Sequence, residues 1–396
     1  MIGQTISHYR ILEKYGGGGA VAIYKIKHAN PVRNLIFSIV LISLFSGISG
    51  CSDPFRTEFD DREDATHYTA STLKGSSPPS DSLKIMTWNI RFAAGRLPVF
   101  YDGRGDRYDT TMREVITNLD AICTKINEAD ADVLLLQEVD IESKRTAYVN
   151  QLQYILDHAH LNYAVYASTW KADYIPSDGI GRMNSGIAIL SKWPLQDGER
   201  IELPVRTDQS SLERYFWLHR CIVKTSLALP GRQPLSILNI HAESWGKDGT
   251  KKKQIEIFKG QLDLVAAAGR YFVAGGDLNE LPPGSPTWKY FPDDVTSARF
   301  GNDDYTGEET WLTELYGSYV PALPLAAYQT SPVPWYTFTG DPDGFWCRTI
   351  DHLFTNSGFY SSLVLQDSRL PNGQNGIATM PLSDHAPVFA ILQVKP

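Results

Sequence analysis

Polar side chains follow several short apolar runs of this chain, at the points where strands would end. The clearest case is residues 271–280, in which an apolar run closes with two glycines and then presents Asp277 and Asn279. Residues two apart lie on one face of an extended chain, so this carboxylate and this amide would be directed together at a water, a metal ion or a phosphate oxygen. A turn that only closes a strand would carry the same pattern.

The same arrangement recurs at five other strand ends. Each places a group that can bind a metal ion or move a proton directly beside an apolar run. The residues are Asn89, Glu138, His241, Asp351 with His352, and Asp384 with His385. Any one of them alone could cap a strand or close a turn. Six such ends in one chain favour a shared site.

The elements that must position these side chains are short strands and three helical patterns. Strands are predicted at 84–90, 133–136, 186–191, 216–227, 235–240, 271–274, 348–354 and 387–394, and helices at 111–127, 146–158 and 251–267. No G-x-G-x-x-G motif follows a strand in this part of the chain. The pattern therefore favours a layered α/β sandwich over a dinucleotide-binding fold.

The order of these motifs resembles that of the endonuclease/exonuclease/phosphatase superfamily, the DNase I-like proteins. The matching motifs are Thr-Trp-Asn-Ile (87–90), Leu-Gln-Glu-Val (136–139), Gly-Ile-Ala-Ile-Leu-Ser (186–191), Asn-Ile-His (239–241), Gly-Asp-Leu-Asn (276–279), Ile-Asp-His (350–352) and Ser-Asp-His-Ala-Pro-Val (383–388). The resemblance spans nearly all of residues 83–394. It implies a four-layered α/β sandwich, in which two packed mixed β-sheets are flanked by helices. Ala242 and Glu243 stand where the family usually has Leu, and Glu280 replaces a common Asp, which bears on the subfamily.

The residue types suit metal-assisted hydrolysis of a phosphoester. Mg²⁺ prefers carboxylate and amide oxygens, so Glu138, helped by Asn89, is predicted to bind Mg²⁺ or Mn²⁺. His385 is predicted to be the general base, because its unperturbed pKa of about 6.5 lies near working pH. By resemblance, either Asp351 or Asp384 orients it.

The resemblance also implies roles for three further residues of the set. Asp277 with Asn279 would position the water and the scissile phosphate, and His241 would donate to a phosphate oxygen or to the leaving group. A catalytically silent binding protein on the same fold is the alternative. Such a protein would be expected to lack Glu138, Asp277 or His385, and all three are present.

Other polar residues near these motifs are interpreted as structural. Strand alternation directs His352 away from the face of Asp351. Arg220 could meet a phosphate, but packing or surface pairing is the preferred interpretation. Residues 251–253 are three lysines that open a helix and are predicted to be solvated, with a local phosphate-attracting patch as the alternative.

The charge of the chain bears on the substrate. The formal net charge is −8, and residues 51–396 carry 32 basic and 44 acidic side chains, a charge of −12. Such a surface is unlike that of a general nucleic-acid binder, because nucleic-acid binding is dominated by Lys and Arg contacts with phosphates. A lipid or small-molecule phosphodiester is therefore the favoured substrate of a monomeric enzyme, and nucleic acid is the alternative. Aromatic residues of 311–346 could border the cleft or fill the core of an insertion.

The first 82 residues divide into three parts. Residues 1–31 contain a stretch that resembles the opening of a bacterial Ser/Thr kinase, but no catalytic-loop or Asp-Phe-Gly motif follows, so a vestige or a mis-assigned start with no independent fold is predicted. Residues 32–50 combine Arg33, an apolar run and small residues before Cys51, which resembles a lipoprotein signal; an uncleaved anchor is the alternative. Residues 51–82 are predicted to be a flexible acidic, Ser/Pro-rich linker. The catalytic domain would occupy residues 83–396, outside the cytoplasm and lipid-anchored to a membrane.

Three cysteines lie beyond Cys51, namely Cys123, Cys221 and Cys347. No CxxC spacing is present, which excludes a zinc ribbon. An odd number of cysteines permits at most one intramolecular disulfide, and the sequence does not assign it.

Overall fold

The computed structural model describes residues 53–102, 105–175, 179–244, 246–294 and 303–395, together with the backbone of four short strands before residue 39. The strands are β1 (Thr5–Ile6), β2 (Tyr9–Tyr15), β3 (Ile23–His28), β4 (Phe37–Ser38), β5 (Arg62–Asp64), β6 (Thr66–Thr69), β7 (Ser82–Asn89), β8 (Val133–Asp140), β9 (Tyr163–Ile175), β10 (Gly181–Ser191), β11 (Leu195–Glu202), β12 (Cys221–Leu227), β13 (Leu235–His241), β14 (Phe272–Asp277), β15 (Val320–Pro321), β16 (Asp351–Thr355), β17 (Phe359–Val364) and β18 (Val388–Gln393). The helices are α1 (Met112–Ala129), α2 (Gln151–His158), α3 (Ser211–Tyr215), α4 (Thr250–Ala267), α5 (Thr313–Ser318) and α6 (Leu325–Thr330). Short 3-10 helices occur at Arg91–Ala93, Phe100–Asp102, Lys144–Thr146 and Val333–Trp335.

Two seven-stranded mixed sheets form the body of the molecule. The first has the strand order β17-β18-β7-β8-β10-β9-β6, and the second has the order β15-β16-β14-β13-β12-β11-β5. One parallel pair lies in each sheet, β7 with β8 and β13 with β14, and the other pairs are antiparallel. Within each of these two parallel pairs, the carboxyl ends of the strands meet at one edge of the sheet.

Apolar side chains fill three layers around these sheets. Leu135 and Ile187 of the first sheet pack with Val223 and Ile237 of the second between the two sheets. The outer face of the first sheet is covered by α1 and α2, and the outer face of the second by α4. The predicted four-layered sandwich is therefore confirmed. Full burial of each such side chain contributes about 1.5–3 kcal/mol to stability.

The sequence of helix α1, which covers the first sheet, accounts for where this helix begins and which of its faces is buried. Thr111 and Glu114 form a reciprocal capping box at its start, in which each side chain accepts from the other's backbone N–H. The stripe of Val115, Leu119, Ile122 and Ile126 is fully buried against the first sheet. The predicted helix at 111–127 agrees with this element, and the predicted helix at 251–267 agrees with α4.

The predicted flexible linker at 51–82 is wrong for residues 62–69. Strand β5 pairs with β11 and forms the edge of one sheet, and β6 pairs with β9 and forms an edge of the other. A single short segment thus covers an edge of each sheet, with Ala65 buried between them. Residues 62–69 are mostly polar, and this composition was the reason for predicting a linker. An edge strand can nevertheless be polar, because it is held by backbone pairing with its neighbour.

Two predicted elements are shorter than their patterns suggested. The strand at 216–227 begins at Cys221, because the residues before it form α3 and a loop. The helix at 146–158 begins at Gln151, with Asn150 accepting from the backbone N–H of Gln153 as its cap. Strands β9, β11, β15 and β17 and the short helices α3, α5 and α6 were not predicted.

Strands β1–β4 pair with one another in a separate antiparallel sheet. The apolar run and Cys51 of the predicted lipoprotein signal lie outside the described residues, apart from Phe37–Ser38. Among the residues that are described, no helix is both long and apolar enough to cross a membrane. Cys123, Cys221 and Cys347 are free thiols, and each is buried.

Candidate active site

The predicted site residues meet at one end of the sandwich. Asn89 and Glu138 come from the carboxyl-terminal part of the parallel pair β7 and β8, and His241 and Asp277 end the parallel pair β13 and β14. Asp351 begins β16, which runs antiparallel to β14, with Asp351 directly opposite Asp277. Both sheets therefore contribute side chains to the same place.

The carboxylate of Asp277 is the point on which these side chains converge. Its Oδ2 atom accepts from Asn89 Nδ2 at 3.1 Å, and it lies 3.3 Å from Nε2 of His241 and 3.7 Å from Nε2 of His385. Asp277 is 1% exposed. A buried carboxylate in contact with an amide and two imidazoles is an arrangement that can bind a phosphoryl group and transfer a proton.

Glu138 reaches this centre because of an irregularity in β8. The pairing of β8 with β10 shifts register opposite Gln137 and Glu138, and Glu138 has a positive φ of 55°. A β-bulge of this kind re-aims a side chain. Oε1 of Glu138 accepts from Asn89 Nδ2 at 3.2 Å and lies 4.0 Å from Nε2 of His241, while the side chain remains 30% exposed.

His385 is oriented by one acid and faces two others. Its Nδ1 atom lies 2.8 Å from Oδ2 of Asp351, and its Nε2 atom lies 4.0 Å from Oδ1 of Asp384. Its ring also packs edge-on against Phe338, with the ring centroids 4.9 Å apart. The carboxylate at Nδ1 is thus that of Asp351, and Asp384 is instead 3.5 Å from Nε of Arg91.

Charge and burial act in opposite senses on the two histidines. Burial acts to lower the pKa of His385, but the Asp351 and Asp277 carboxylates raise that pKa to about 10. Burial, followed by the charges of Arg220 and His385, holds the pKa of His241 well below its usual value. At neutral pH, His385 is therefore cationic and His241 is neutral.

The carboxyl groups of the site also depart from their ordinary behaviour. Burial, together with the neighbouring Asp351 charge, raises the pKa of Asp277 to about 7, although His385 opposes the shift. For Asp384, the charges of His385 and Arg91 outweigh burial and lower the pKa. The carboxylates of Asp277 and Asp351 are both buried and offer ligand atoms within 4.8 Å of each other. Such a pair favours an additional positive charge between its members.

Asn279 reaches the site through a turn, and strand alternation does not apply to it. Its backbone N–H donates to Oδ1 of Asp277 at 2.9 Å, and its φ of 50° lies in the left-handed region. Its Nδ2 atom donates to the carbonyl of Ala242 at 3.0 Å, which ties the loop after β14 to the loop after β13. Asp277 and Asn279 are therefore brought together by a local Asx turn.

Lys251 corrects the prediction that the three lysines of 251–253 are solvated. It is 2% exposed, and its Nζ atom donates to the carbonyl of Asn279 at 2.8 Å. It also lies 3.1 Å from Glu280 and 2.5 Å from Glu308. Lys252 and Lys253 are exposed, as predicted. Lys251 thus holds the backbone of Asn279, next to the site, in place.

His352 occupies the opposite face of β16 from the site. Its Nε2 atom lies 2.8 Å from the carbonyl of Glu280, and Nδ1 lies 3.0 Å from the hydroxyl of Tyr316. Burial lowers the pKa of this imidazole to about 4, so it is neutral. These contacts are those of a packed core histidine.

Several supporting residues were not predicted. Gln137 Nε2 donates to Oδ1 of Asn239 at 2.7 Å, which joins the two sheets beneath the site. Trp88 Nε1 donates to the His385 carbonyl at 2.9 Å, and Ser383 Oγ donates to the Asn89 carbonyl at 2.7 Å. The polar residues inside apolar strands were the available signal, since a buried amide requires a partner.

The donor set fits a hard divalent cation. Glu138 offers a partly exposed carboxylate and Asp277 a buried one, and Nδ2 of Asn89 donates to both, while Oδ1 of Asn89 accepts from the Arg91 N–H at 3.0 Å. In the described part of the chain, Asp277, Asp351 and His385 also present ligand atoms within 4.8 Å of one another. Oδ1 of Asp351 is buried and has no hydrogen-bond partner. Oxygen ligands with a net negative charge are those that Mg²⁺ binds.

The two mixed sheets and this carboxylate–histidine site define a class of phosphoester-cleaving hydrolases. The sequence model of the Endonuclease/Exonuclease/phosphatase family matches residues 86–385, about three quarters of the chain. The chain belongs to this family, and the resemblance seen in its motifs is confirmed. Members of the family are hydrolases that act on phosphoester bonds.

Solved structures with this fold include an endonuclease/exonuclease/phosphatase from Beutenbergia cavernae DSM 12333. It is 19% identical over 79% of this chain and 71% of its own, with a TM-score of 0.50. A family protein from Bacteroides thetaiotaomicron is 17% identical over 79% of this chain and 99% of its own, with a TM-score of 0.48. D. rerio TDP2, complexed with single strand DNA product, is 14% identical over 79% and 99% of the two chains, with a TM-score of 0.47. A comparison with curated protein sequences finds no match.

Proposed function

We propose that this protein is a metal-dependent phosphodiesterase that hydrolyses a P–O bond by in-line attack of water. The observation that carries the proposal is the convergence of Asn89, His241 and His385 on the buried Oδ2 atom of Asp277. A phosphoryl group bound beside Asp277 would lie near this amide, the two imidazoles and the Asp277 carboxylate. These groups can stabilise the charge that develops on the phosphoryl oxygens.

The cation would be held by the Glu138 carboxylate, at the side of Asp277. Asn89 would join it by turning its Oδ1 atom, which now accepts from the Arg91 N–H, towards the ion. Mg²⁺ or Mn²⁺ in that position supplies positive charge, which neutralises phosphoryl oxygens and lowers the pKa of neighbouring groups. Glu138 suits this role because its carboxylate is partly open to solvent, whereas Asp277 and Asp351 are enclosed.

His385 would take the proton from the attacking water. Asp351 holds Nδ1, so that Nε2 faces the cleft and Asp277. His385 is cationic when only carboxylates surround it, because they raise its pKa to about 10. His385 would accept this proton at Nε2 in its neutral form, and the charge of a cation held beside Asp277 would lower its pKa towards that form.

His241 and Asn279 would act on the phosphoryl group itself. His241 is neutral, because its pKa lies well below the usual value, so it can donate a hydrogen bond to a phosphoryl or leaving-group oxygen. Asn279 is fixed by its contacts with Asp277 and Ala242, and would position the phosphoryl group beside the water. The net change is hydrolysis: the water oxygen forms a bond to phosphorus and the bond to the ester oxygen breaks. One proton of the water ends on the leaving oxygen and the other on the product phosphate, from which it can ionise.

The favoured substrate is a lipid or small-molecule phosphodiester. The formal charge of −12 on residues 51–396 opposes the long-range attraction on which general nucleic-acid binding depends. A nuclease of the same fold is the second candidate, and a substrate panel separates the two. The panel consists of DNA, RNA, sphingomyelin and inositol phosphates.

A chromogenic phosphodiester, bis(p-nitrophenyl) phosphate, tests the proposed reaction. Purified protein should hydrolyse it with Mg²⁺ or Mn²⁺, and chelator or His385→Ala should abolish the activity. Asp277→Asn keeps the shape of the site but removes the charge beside the water, so kcat should fall about 10²-fold or more with little change in KM. Absence of turnover with every phosphoester of the panel would refute the proposal.

We further propose that the protein is exported and held at a membrane by acylation of Cys51. The support is the order of a basic residue, a short apolar run and small residues before this cysteine. More than one acyl chain is needed for stable attachment. Mature protein beginning at Cys51 should fractionate with membranes, and Cys51→Ser behind a conventional cleavable signal should release it. Full-length protein with Met1 in the cytosolic fraction would contradict this.

A further inference from the structure

Among the residues that the structure describes, Arg220 differs from the other buried arginines in that no acid or carbonyl is seen to engage its guanidinium group. Five arginines of the described residues are buried, namely Arg91, Arg145, Arg200, Arg220 and Arg348. Four of them are engaged by acids or carbonyls. Nε and Nη1 of Arg220 are buried without a hydrogen-bond partner, and no described acid forms an ion pair with this side chain.

The partnered arginines show what a structural guanidinium looks like in this protein. Arg145 makes a two-point contact with Asp140, at 2.8 and 2.9 Å. Arg200 donates to the carbonyls of Ser168 and His219, both at 3.1 Å, and lies over the ring of Phe59. An arginine is always charged in proteins, so burying one without a partner is unfavourable unless something else supplies the negative charge.

Nearby acids do not supply that charge. Glu243 accepts from Nε1 of Trp217 at 3.2 Å and from the backbone N–H of Ser244. Glu202 lies 2.9 Å from Nδ1 of His219. Both acids are thus directed to other groups, and Arg220 is left 4% exposed with its charge unmatched in the described part of the chain.

The position of Arg220 places this charge beside the proposed active site. Strands β12 and β13 pair in the register Ile222 with Ile240, and the same register continued by two residues brings Arg220 level with Ala242. The Ala242 N–H donates to the Asp277 carbonyl at 2.9 Å, and its carbonyl accepts from Asn279. Arg220 therefore borders the segment that links His241 to the Asp277–Asn279 turn.

From its burial, its missing partner and this position, we infer that Arg220 is an anion-binding residue for a phosphoryl group of the substrate. The inference rests on the proposed phosphoesterase function and deepens it. Guanidinium groups bind phosphate oxygens through two parallel N–H contacts, which a lysine cannot reproduce. The anion is either the phosphoryl group that is hydrolysed or one adjacent to it in the same substrate.

Binding of inorganic phosphate to the full protein, measured by titration calorimetry in the presence of chelator, tests the inference without turnover. Phosphate should bind the wild type, and Arg220→Met should bind it at least about tenfold more weakly, because a charge-assisted contact is lost. Arg220→Lys should fall between the two. Arg200→Met is the matched control: it removes an equally buried but partnered guanidinium and should leave phosphate affinity unchanged.

Thermal unfolding adds a readout that separates binding from packing. Arg220→Met removes an unpaired buried charge, so its Tm without phosphate should equal or exceed that of the wild type, and phosphate should no longer raise it. Arg200→Met should lower Tm and keep the rise with phosphate. Unchanged phosphate affinity in Arg220→Met, or a loss of Tm like that of Arg200→Met, would overturn the inference.

The competitive effect of phosphate on turnover locates the bound anion. If phosphate competes with the chromogenic diester in the wild type, and Arg220→Met raises both KM and the inhibition constant, the anion lies in the substrate site. Phosphate binding through Arg220 by a protein without turnover would refute the proposed function and leave the inference standing. Turnover by Arg220→Met with the same KM as the wild type would leave the proposed function standing and refute the inference about Arg220.

Discussion

The imidazole of His385 is held by Asp351, at 2.8 Å from Nδ1, and the adjacent residue Asp384 stands on the Nε2 side at 4.0 Å. The sequence alone left the partner open between these two acids. The answer follows from strand geometry, because Asp351 begins β16 directly opposite Asp277. Asp384 is instead drawn towards Arg91.

This relationship predicts unequal effects of two similar substitutions. Asp351→Asn should lower kcat about 10²-fold or more, because the amide no longer stabilises a charged imidazole or fixes its tautomer. Asp384→Asn should have the smaller effect on kcat, since its carboxylate does not contact Nδ1. Steady-state hydrolysis of bis(p-nitrophenyl) phosphate by the two variants measures this, and the reverse order of kcat values would exclude Asp351 as the orienting acid.

Glu138 provides a second test, with a matched control in the same strand region. Glu138→Gln should raise the Mg²⁺ concentration for half-maximal activity about tenfold or more, because it replaces a charged oxygen ligand by a neutral one. Glu142 also has a positive φ, of 57°, but pairs with Arg182 at the surface. Glu142→Gln should therefore leave metal dependence unchanged. An identical Mg²⁺ titration for Glu138→Gln and wild type would remove Glu138 from the metal site.

The buried ammonium of Lys251 predicts an effect on stability. Lys251→Met leaves the Glu280 and Glu308 carboxylates without their cation, which should lower the free energy of unfolding by about 3–5 kcal/mol. Adding Glu280→Gln should recover part of this loss, because the two sites are coupled. Lys252→Met, at an exposed position, is the control. Urea unfolding of the four proteins gives these values, and equal stability of Lys251→Met and Lys252→Met would contradict the prediction.

Sequence pattern was sufficient for the parts of the site that follow from regular geometry. Apolar runs identified β7, β8, β13 and β14, and the rule that parallel strands end at one edge brings their terminal polar residues together. The motif order then placed Asp351 and His385 with them. These features are local in sequence, so they can be recognised without the fold.

Other features depend on partners that are distant in sequence. The bulge at Glu138 leaves no mark in an alternating pattern, because register is set by the strand opposite. Lys251 has the composition of a surface residue, and only the approach of Glu280 and Glu308 makes its burial tolerable. The edge strand β6 is polar on both sides and is stabilised by backbone pairing with β9. Tertiary contacts decided each of these cases.

Lys125 predicts how stability depends on pH. It is fully buried on α1, where its Nζ atom donates to the carbonyls of Ile377, Arg369 and Asp367 at 2.9, 3.3 and 3.4 Å. Burial lowers the pKa of this amine from 10.5 to about 8, against the opposing charges of Glu128 and Asp367. The folded protein therefore releases this proton at a lower pH than the unfolded chain does.

The sign of the effect follows from which state holds the proton. Below pH 8 both states are protonated, and the folded state bears the full unfavourable burial of the charge. Between pH 8 and 10.5 the unfolded chain binds more protons at this site, so the contribution of Lys125 to stability rises with pH. Lys125→Met cannot titrate, which makes it the reference. Urea unfolding at pH 7, 8, 9 and 10 should show wild type gaining stability relative to Lys125→Met above pH 8, and a difference that stays constant with pH would show that the pKa of Lys125 is not lowered.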